Sequence, residues 1–582
     1  MISVSMTQGA VLLSLVLLIA VLIHGRIQTG TAFVLLALGY YSFGLIDLTK
    51  LLQNYVEPSL ITLVLLMLIS VALEKTLLIE RVGERLMSGA YPVALARMMV
   101  VTASFSAFLN NTAVVASLLG VVSKNGRFAP SRLLLPLSYA ALFGGVITLV
   151  GTSTNLVVNS FAVRAGMEPI GMFDFAWVGL PVALVCTVVV VVLARWLLPE
   201  HESTESRNNS YFLEASIQPD SPLTGRSVLE NGLRQIDGLF LAEVVRTGHL
   251  ISPVGPQEIL EAGDILIFTG EVDKVHVLER FPGLKLFEEE MNIVRTNLVE
   301  VVVVADSPLV DNTIRDVNFR ALFDAAVVGI RRGQVRLSGK LGEIHLKAGD
   351  AMMLAVGADF ANRKNLDRNF YVLKGGTRKP RLSMPQSYAV FAAFAGVILL
   401  GAFEVIPLVK GLALLLIALL FLRLIDVAEL RRRFPFELVL VIGSALAMSQ
   451  VMASTGVADL IAGGLHSIVG GNGPLWALVA VFVVTLILTE LMSNNAAAAL
   501  VFPIAFSLAQ SLGVSPLPFV MALAFGASAS FITPFGYQTH LMVFTPGRYC
   551  FMDFVRMGLP VSLAYSVTAL LLLPWAFPFH PQ

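Results

Sequence analysis

Residues 491–505 read LMSNNAAAALVFPIA, and residues 108–122 read FLNNTAVVASLLGVV. Each sets neighbouring asparagines inside long apolar sequence; WALVAVFVVTLILTE (476–490) runs directly into the first stretch. An unsatisfied polar group in hydrocarbon costs several kcal/mol. These residues must therefore face protein, water or bound ions. The two stretches also lie in corresponding places. GTSTNLVV (151–158) follows 108–122 as GYQTHLMV (536–543) follows 491–505, and FDFAWVGLPVAL (173–184) is echoed by MDFVRMGLPVSL (552–563). Asn111 and Asn155 are 44 residues apart, Asn494 and His540 are 46 apart, and both Asp-to-Pro intervals (174–181, 553–560) are 7. Chance likeness between apolar sequences does not keep polar landmarks in order at such spacing, so the chain carries an internal repeat.

Composition agrees with a membrane protein. The 582 residues are 56% hydrophobic and 14% charged, against about 25% charged in average soluble domains. Residues 1–199 carry 18 charges and 387–582 carry 14, so 48 of the 80 fall in the 187 residues between. Two apolar halves thus flank a block of soluble composition. Net charge is zero, which gives no footing for a nucleic-acid partner. The two cysteines, Cys186 and Cys550, imply neither a disulfide frame nor a metal site. Residues 10–24 follow no basic segment and precede no small-residue cleavage site, so they read as a retained span. No nucleophile–base pair supports an enzyme.

Apolar runs fall at 10–24, 31–47, 58–74, 92–122, 133–161 and 174–198, and again at 387–403, 407–425, 436–453, 475–509, 517–545 and 553–577. An amphipathic piece follows the third run of each half, at 74–86 and 454–468. If 92–122 and 475–509 are re-entrant hairpins, each half crosses the bilayer five times and the second half is inverted relative to the first, a design of secondary transporters. The predicted fold is thus a polytopic α-helical membrane protein: an inverted repeat of two halves (1–199 and 387–582), each with five spans and one hairpin, and an inserted cytoplasmic α/β block. With 200–386 in the cytoplasm, the short loops on that side carry fifteen Lys or Arg residues, against Lys50, Arg164 and Lys410 opposite, as the positive-inside rule requires. Both termini then lie outside the cell membrane.

A hairpin tip or broken span presents backbone groups at membrane depth, tolerated only in protein or beside a wet cavity. Helix N-termini suit an anion, while carbonyl, hydroxyl and amide oxygens suit a hard cation. One candidate constellation is Ser106, Asn110, Asn111 and Thr112 with Gly151, Thr152, Ser153, Thr154 and Asn155. The other is Thr489, Ser493, Asn494 and Asn495 with Gly536, Tyr537, Gln538, Thr539 and His540. Any one of these could be interhelical hydrogen-bond glue, but a duplicated set at matched positions points to a binding site. His540 could bind substrate, titrate or be a satisfied core histidine. Glu490 could carry a charge or a proton, or sit solvated at a span end. Asp174 and Asp553 read as helix N-caps.

At these residues the sequence resembles the divalent anion/sodium symporter family, also called the sodium:sulfate or solute carrier 13 family, within a wider group that includes citrate carriers. Its hairpin tips match Asn110-Asn111-Thr112 and Ser493-Asn494-Asn495; its breaks match Thr152–Asn155 and Tyr537–His540. The resemblance implies a homodimer with an elevator mechanism, a lipid-embedded scaffold, and Na⁺ as coupling ion, with H⁺ as the alternative. It implies one Na⁺ site at Ser106, Asn110, Asn111 and Gly151 and a second at Thr489, Ser493, Asn494 and Gly536. An anion substrate would meet Asn111, Thr112, Thr154, Asn155, Asn494, Asn495 and Thr539, with His540 at the place of a family Asn. The chain departs from the pattern at Asn110, at Asn495 and in lacking the Pro pairs of both breaks.

The middle block holds a second repeat. LEASIQPDSPLTGRSV (213–228) and LEAGDILIFTG (260–270) recur as VEVVVVADSPLVDNTI (299–314) and LKAGDAMMLAVG (346–357), at an offset of 86. Alternating apolar strands after an Ala-Gly-Asp turn predict small α/β modules, over 200–290 and 291–386. They resemble tandem C-terminal regulatory (TrkA-C or RCK-C) modules, which implies a small regulatory ligand and dimerisation; a ligand-free spacer is the other reading. Symporters carrying such an insert are linked mostly with sulfate. Beside the symporter stand two further readings, a cation/proton antiporter of the same group and a ligand-gated channel or sensor.

Overall fold

The computed structural model describes residues 5–580 apart from 25–26, 77–87, 124–126, 201–211, 234–235, 237–238, 247–248, 252–253, 271–276, 279, 287–297, 305–306, 338–340, 358, 361–362, 364, 375–381, 404 and 470–472. Most of the amphipathic piece expected at 74–86 falls outside them.

Proline at the first or second helical position, where no backbone donor is lost, opens helices at Pro58, Pro92, Pro385, Pro474 and Pro518. The first half runs α1 Met6–His24, α2 Thr29–Ser42, α3 Leu48–Gln53, α4 Pro58–Glu74, α5 Tyr91–Ser106, α6 Asn111–Ser123, α7 Leu134–Gly145, α8 Ser153–Arg164 and α9 Ala176–Leu197. The second runs α10 Met384–Ala402, α11 Leu408–Phe421, α12 Val427–Arg432, α13 Phe436–Ser454, α14 Val457–Val469, α15 Pro474–Leu491, α16 Asn494–Ser511, α17 Leu517–Ala527, α18 Gln538–Phe544 and α19 Phe551–Ala576. The apolar run at 31–47 is shorter as a helix: α2 stops at Ser42, and Gly44 turns the chain with φ +71°. Neither Asp174 nor Asp553 is an N-cap; Phe175 and Cys550 hold those places. Asp553 sits in the first turn of α19 and its carboxylate accepts from the Cys550 N–H at 2.8 Å, while Asp174, one residue before the cap of α9, accepts from the Gly171 N–H at 2.7 Å.

Among the described residues, six helices are long and apolar enough to cross a membrane, including α15, the first arm of the segment read from sequence as a hairpin. The halves are packed through each other. α9 lies along α19, α2 on α13 and α4 on α11; α8 touches α16 and α17, and α18 touches α6 and α7. All of α7 and all of α17 from Pro518 onward are buried, which places the two broken segments at the centre. Close approach there depends on glycine. A Cβ at Gly179 would lie 2.3 Å from the Val146 carbonyl, and one at Gly558 would lie 2.3 Å from the Phe531 carbonyl.

The middle block forms two five-stranded antiparallel sheets. The first is ordered β3-β2-β4-β1-β5, with β1 Phe212–Ile217, β2 Leu239–Arg246, β3 His249–Ile251, β4 Ile265–Gly270 and β5 Leu284–Leu286. The second is ordered β8-β7-β9-β6-β10, with β6 Leu298–Val303, β7 Ala325–Arg332, β8 Val335–Leu337, β9 Ala351–Val356 and β10 Phe370–Lys374. Strand for strand this is one topology used twice. Each sheet has its own buried apolar cluster.

Gly179→Ala and Gly558→Ala are each expected to lower stability by about 1–3 kcal/mol through overpacking. Gly120→Ala, whose Cβ would meet nothing within 4 Å, is expected to leave it unchanged or raised. Thermal unfolding of the detergent-solubilised protein checks the set.

Candidate functional site

The first tip joins α5 to α6. Asn110 caps α6, its Oδ1 accepting from the Thr112 N–H at 2.9 Å. Asn111 opens the helix and turns its carboxamide inward, toward Ser106 at the end of α5. The carboxamide can be seated either way round, an assignment made from its neighbours. Nitrogen inward, it donates to Ser106 Oγ (2.6 Å), the Gly151 carbonyl (3.2 Å) and the Ala141 carbonyl (3.3 Å), while its oxygen accepts from the Tyr537 hydroxyl (2.8 Å). Oxygen inward, it accepts from Ser106 at 2.6 Å and Nδ2 donates to Tyr537 at 2.8 Å. Four oxygens then face one another, and only Ser106 brings a proton. Oxygens so placed repel unless a cation lies among them. Nitrogen inward satisfies the tip by itself; an ion there would need the carboxamide to turn its oxygen inward.

The first break lies between α7 and α8. Thr148 donates back to the Ala107 carbonyl of the tip. Asn155 Nδ2 donates to the carbonyls of Gly145 (3.2 Å) and Thr148 (2.9 Å), while its fully buried Oδ1 has no partner. Gly145 also makes room for the first tip: a Cβ there would lie 2.9 Å from the Asn111 amide.

The second tip repeats the pattern. The Thr489 hydroxyl lies 2.8 Å from Asn494 Oδ1 and 2.6 Å from the Ala527 carbonyl. One O–H serves one acceptor, so the other oxygen faces it without a proton. Ser493 caps α16 by accepting from the Ala496 N–H. The buried hydroxyls of Ser528 and Ser530 have no partner, and Gly536 lies against Ser530. Oxygen-rich surroundings, with orphaned buried oxygens in both breaks, fit a hard cation.

Glu490 answers a question the sequence left open. Its carboxylate accepts from the N–H groups of Phe531 (2.8 Å), Ile532 (2.8 Å) and Thr533 (3.0 Å) and from the Thr533 hydroxyl (2.8 Å). It ties the second tip to the second break. His540 is enclosed in the same way. Nε2 is 2.9 Å from the Ser530 carbonyl, which can only accept, so Nε2 carries the proton; Nδ1 lies 2.7 Å from Ser138 Oγ. The ring packs on Tyr139, Tyr537 and Phe554. Thr539, also fully buried, shares Ser138 at 2.7 Å.

Each tip meets the break of the opposite half. Thr112 Oγ1 is 3.4 Å from Gln538 Oε1, beside the Asn111–Tyr537 bond. Reciprocally, Asn495 Oδ1 accepts from Thr154 (3.2 Å) and Ser153 (3.4 Å). Thr112, Ser153, Asn495 and Tyr537 are partly exposed, and Ser493 and Gln538 are exposed. This accessible face is polar and uncharged. It also receives the N-terminal ends of α6, α8 and α16, which begin at Asn111, Ser153 and Asn494. Asn111, Thr154, Asn155, Asn494, Thr539 and His540 lie behind it, buried. Spacing could not show that Tyr537, Gln538 and Ser153 are partners of the tips, because the repeat aligns them with each other and not with the tips they touch.

An apolar helical bundle that buries two polar tips against two interrupted segments defines a multi-pass membrane transporter. The chain belongs to the citrate transporter family (CitMHS), which it matches over residues 15–526. It is similar to a Chlamydomonas reinhardtii protein named for the response to sulfur deprivation, at 31% identity over 556 residues, 91% of this chain and 94% of that one. A transporter of Synechocystis (sll0640) is 28% identical over 580 residues, 95% and 94% of the two chains. Sodium/sulfate cotransporter 1 of C. reinhardtii is 29% identical over 402 residues, 65% of this chain and 45% of its own.

Glu490→Gln keeps the shape of the anchor and removes its charge. Hydrogen bonds to charged groups contribute roughly 1.5–3 kcal/mol, so thermal unfolding is expected to show a loss of that order, with hydrogen exchange rising at 531–536.

Proposed function

We propose that the protein is a Na⁺-coupled symporter of a divalent anion, sulfate or a similar oxyanion, working by elevator-type alternating access in the cytoplasmic membrane. Di- or tricarboxylate is the other cargo of this class. The observation that carries the reading is the interlock of each tip with the opposite break. An anion seated on Thr112, Ser153, Asn495, Tyr537 and Gln538 touches both halves at once, so its binding closes one polar face.

In this reading the halves are an inverted repeat of five spans and one hairpin each, with both termini outside and 200–386 in the cytoplasm. The transport unit holds the hairpins, the broken helices, α9 and α19; the remaining helices form the scaffold and the homodimer. The first cation site is Ser106, Asn110, Asn111 and Gly151, with Asn110 shaping the tip. The second is Thr489, Ser493, Asn494 and Gly536. Na⁺ there supplies the positive charge that an uncharged face lacks. Tyr537 links the ion to the anion. When Asn111 turns its oxygen to the ion, its Nδ2 donates to Tyr537, and the Tyr537 O–H is released toward the anion face.

Support for an oxyanion comes from the lining, which offers hydroxyl and amide donors and no unpaired carboxylate to take the proton of hydrogen phosphate. Sodium/sulfate cotransporters among the relatives point the same way. Glu490 and His540, the carriers a proton antiporter would use, are both held by the second break itself.

Proteoliposomes loaded with K⁺ and given an inward Na⁺ gradient are expected to take up labelled sulfate faster than citrate or succinate. Asn111→Ala and Asn494→Ala are each expected to lose Na⁺ stimulation by tenfold or more. Equal uptake without Na⁺, or stimulation preserved in both variants, contradicts the assignment. Tyr537→Phe is expected to raise the sulfate KM severalfold and flatten its dependence on Na⁺, with the variant still binding Na⁺.

A further inference from the structure

Among the described residues of the two β-sheet units, only those of the second reach into the membrane half. Thr545, just beyond α18, is fully buried. Its hydroxyl donates to the Gly349 carbonyl at 2.5 Å and accepts from the Gly333 N–H at 3.2 Å. Gly333 is the β7–β8 turn and Gly349 the Ala-Gly-Asp turn before β9. Both have positive φ, +59° and +81°, and both need glycine a second time. A Cβ at Gly333 would lie 2.9 Å from the Tyr549 carbonyl, and one at Gly349 would lie 3.2 Å from the Leu541 carbonyl.

The two turns are locked together by the residues beside them. Arg332 donates from Nε and Nη2 to the two carboxylate oxygens of Asp350, each at 2.7 Å, and from Nη2 to the His345 carbonyl at 2.9 Å. Asp350 is fully buried. A fixed two-pronged corner therefore grips 541–549. The contact extends to the helix that follows the first tip: β10 packs on α6, and Val302, Ala351 and Leu373 join the apolar cluster of the membrane half.

The first sheet provides an internal comparison. Arg246 and Asp264 form the same bidentate pair, at 2.9 and 2.8 Å. Yet a Cβ at Gly263 would meet nothing within 4 Å, and no described residue of the first sheet joins the membrane cluster. Among the described residues, one corner is built twice and docked once.

We propose that the second β-sheet unit is a working part of the moving transport unit, a clamp that holds α6 of the first tip and the 541–549 end of the second break together and travels with them, while the first unit stays off the membrane half. This rests on the elevator reading above. α6 begins at Asn111 and α18 at Gln538, so the clamp spans the two elements that meet at Asn111–Tyr537 and Thr112–Gln538.

The test uses the full chain with Cys186→Ala and Cys550→Ser. A Cβ at Gly349 would lie 3.7 Å from that of Leu541, within disulfide range, so Gly349→Cys with Leu541→Cys is expected to cross-link on oxidation. Sulfate uptake of the oxidised protein is expected to stay within twofold of the reduced protein. A tenfold or greater loss on oxidation, restored by reductant, overturns the proposal, because clamp and helix then part during the cycle. A reduced double variant that moves no anion while the parent chain does shows that the Gly349 turn itself is needed, as the clamp requires; a parent chain that moves none counts against the transport reading instead, and the clamp is then judged by hydrogen exchange. Hydrogen exchange at 541–549 is expected to rise severalfold in Asp350→Asn and to stay unchanged in Asp264→Asn. Unchanged exchange in Asp350→Asn overturns the clamp.

Discussion

The chain stops being helical at four places inside an apolar bundle, and every backbone and polar group released there must find a partner within the protein. That constraint shapes the rest. Asn155 collects the carbonyls at the end of α7, Glu490 collects the N–H groups of 531–533, and each tip leans on the opposite break. What the protein leaves unfilled is then informative. Asn155 Oδ1 and the Ser528 and Ser530 hydroxyls stay buried without partners, whereas Asn111, nitrogen inward, is satisfied by its surroundings.

The two halves solve the same problem with different residues. Asn155 and His540 each donate to the carbonyl ten residues earlier, Gly145 and Ser530. The asparagine keeps a spare oxygen, whereas the histidine spends both ring nitrogens. Near the tips, Ala107 receives Thr148 through its carbonyl, while Glu490 brings a whole carboxylate to the second break. The second break is therefore held by charge-assisted hydrogen bonds and the first by neutral ones. Any difference between the two proposed cation sites starts from that difference in stiffness. On the cytoplasmic side of the proposed topology, the second sheet closes over the stiffer break.

Tips and breaks were legible in sequence because polar residues inside hydrocarbon-like sequence carry a penalty, and duplication at matched spacing removes the ordinary explanation. The two β-sheets were visible through their repeated Ala-Gly-Asp turn. What spacing could not carry was pairing between halves. Tyr537 and Gln538 were read as part of their own break, and nothing local tied them to Asn111 and Thr112. His540 stood open among three roles, and its environment makes it a satisfied core histidine. Asp553 was placed at a cap because Asp is common there; it acts one turn later by the same chemistry. The grip on Thr545 had no sequence signal, since a threonine after a helix and two glycines in turns are unremarkable apart.

Central to this account is a polar face that holds an anion only when cations occupy the tips behind it. Equilibrium binding of labelled sulfate to the purified protein, in Na⁺ and then in K⁺ at equal ionic strength, measures this directly. Saturable binding in Na⁺ is expected to fall at least tenfold in K⁺. Binding of equal affinity in both salts would contradict it.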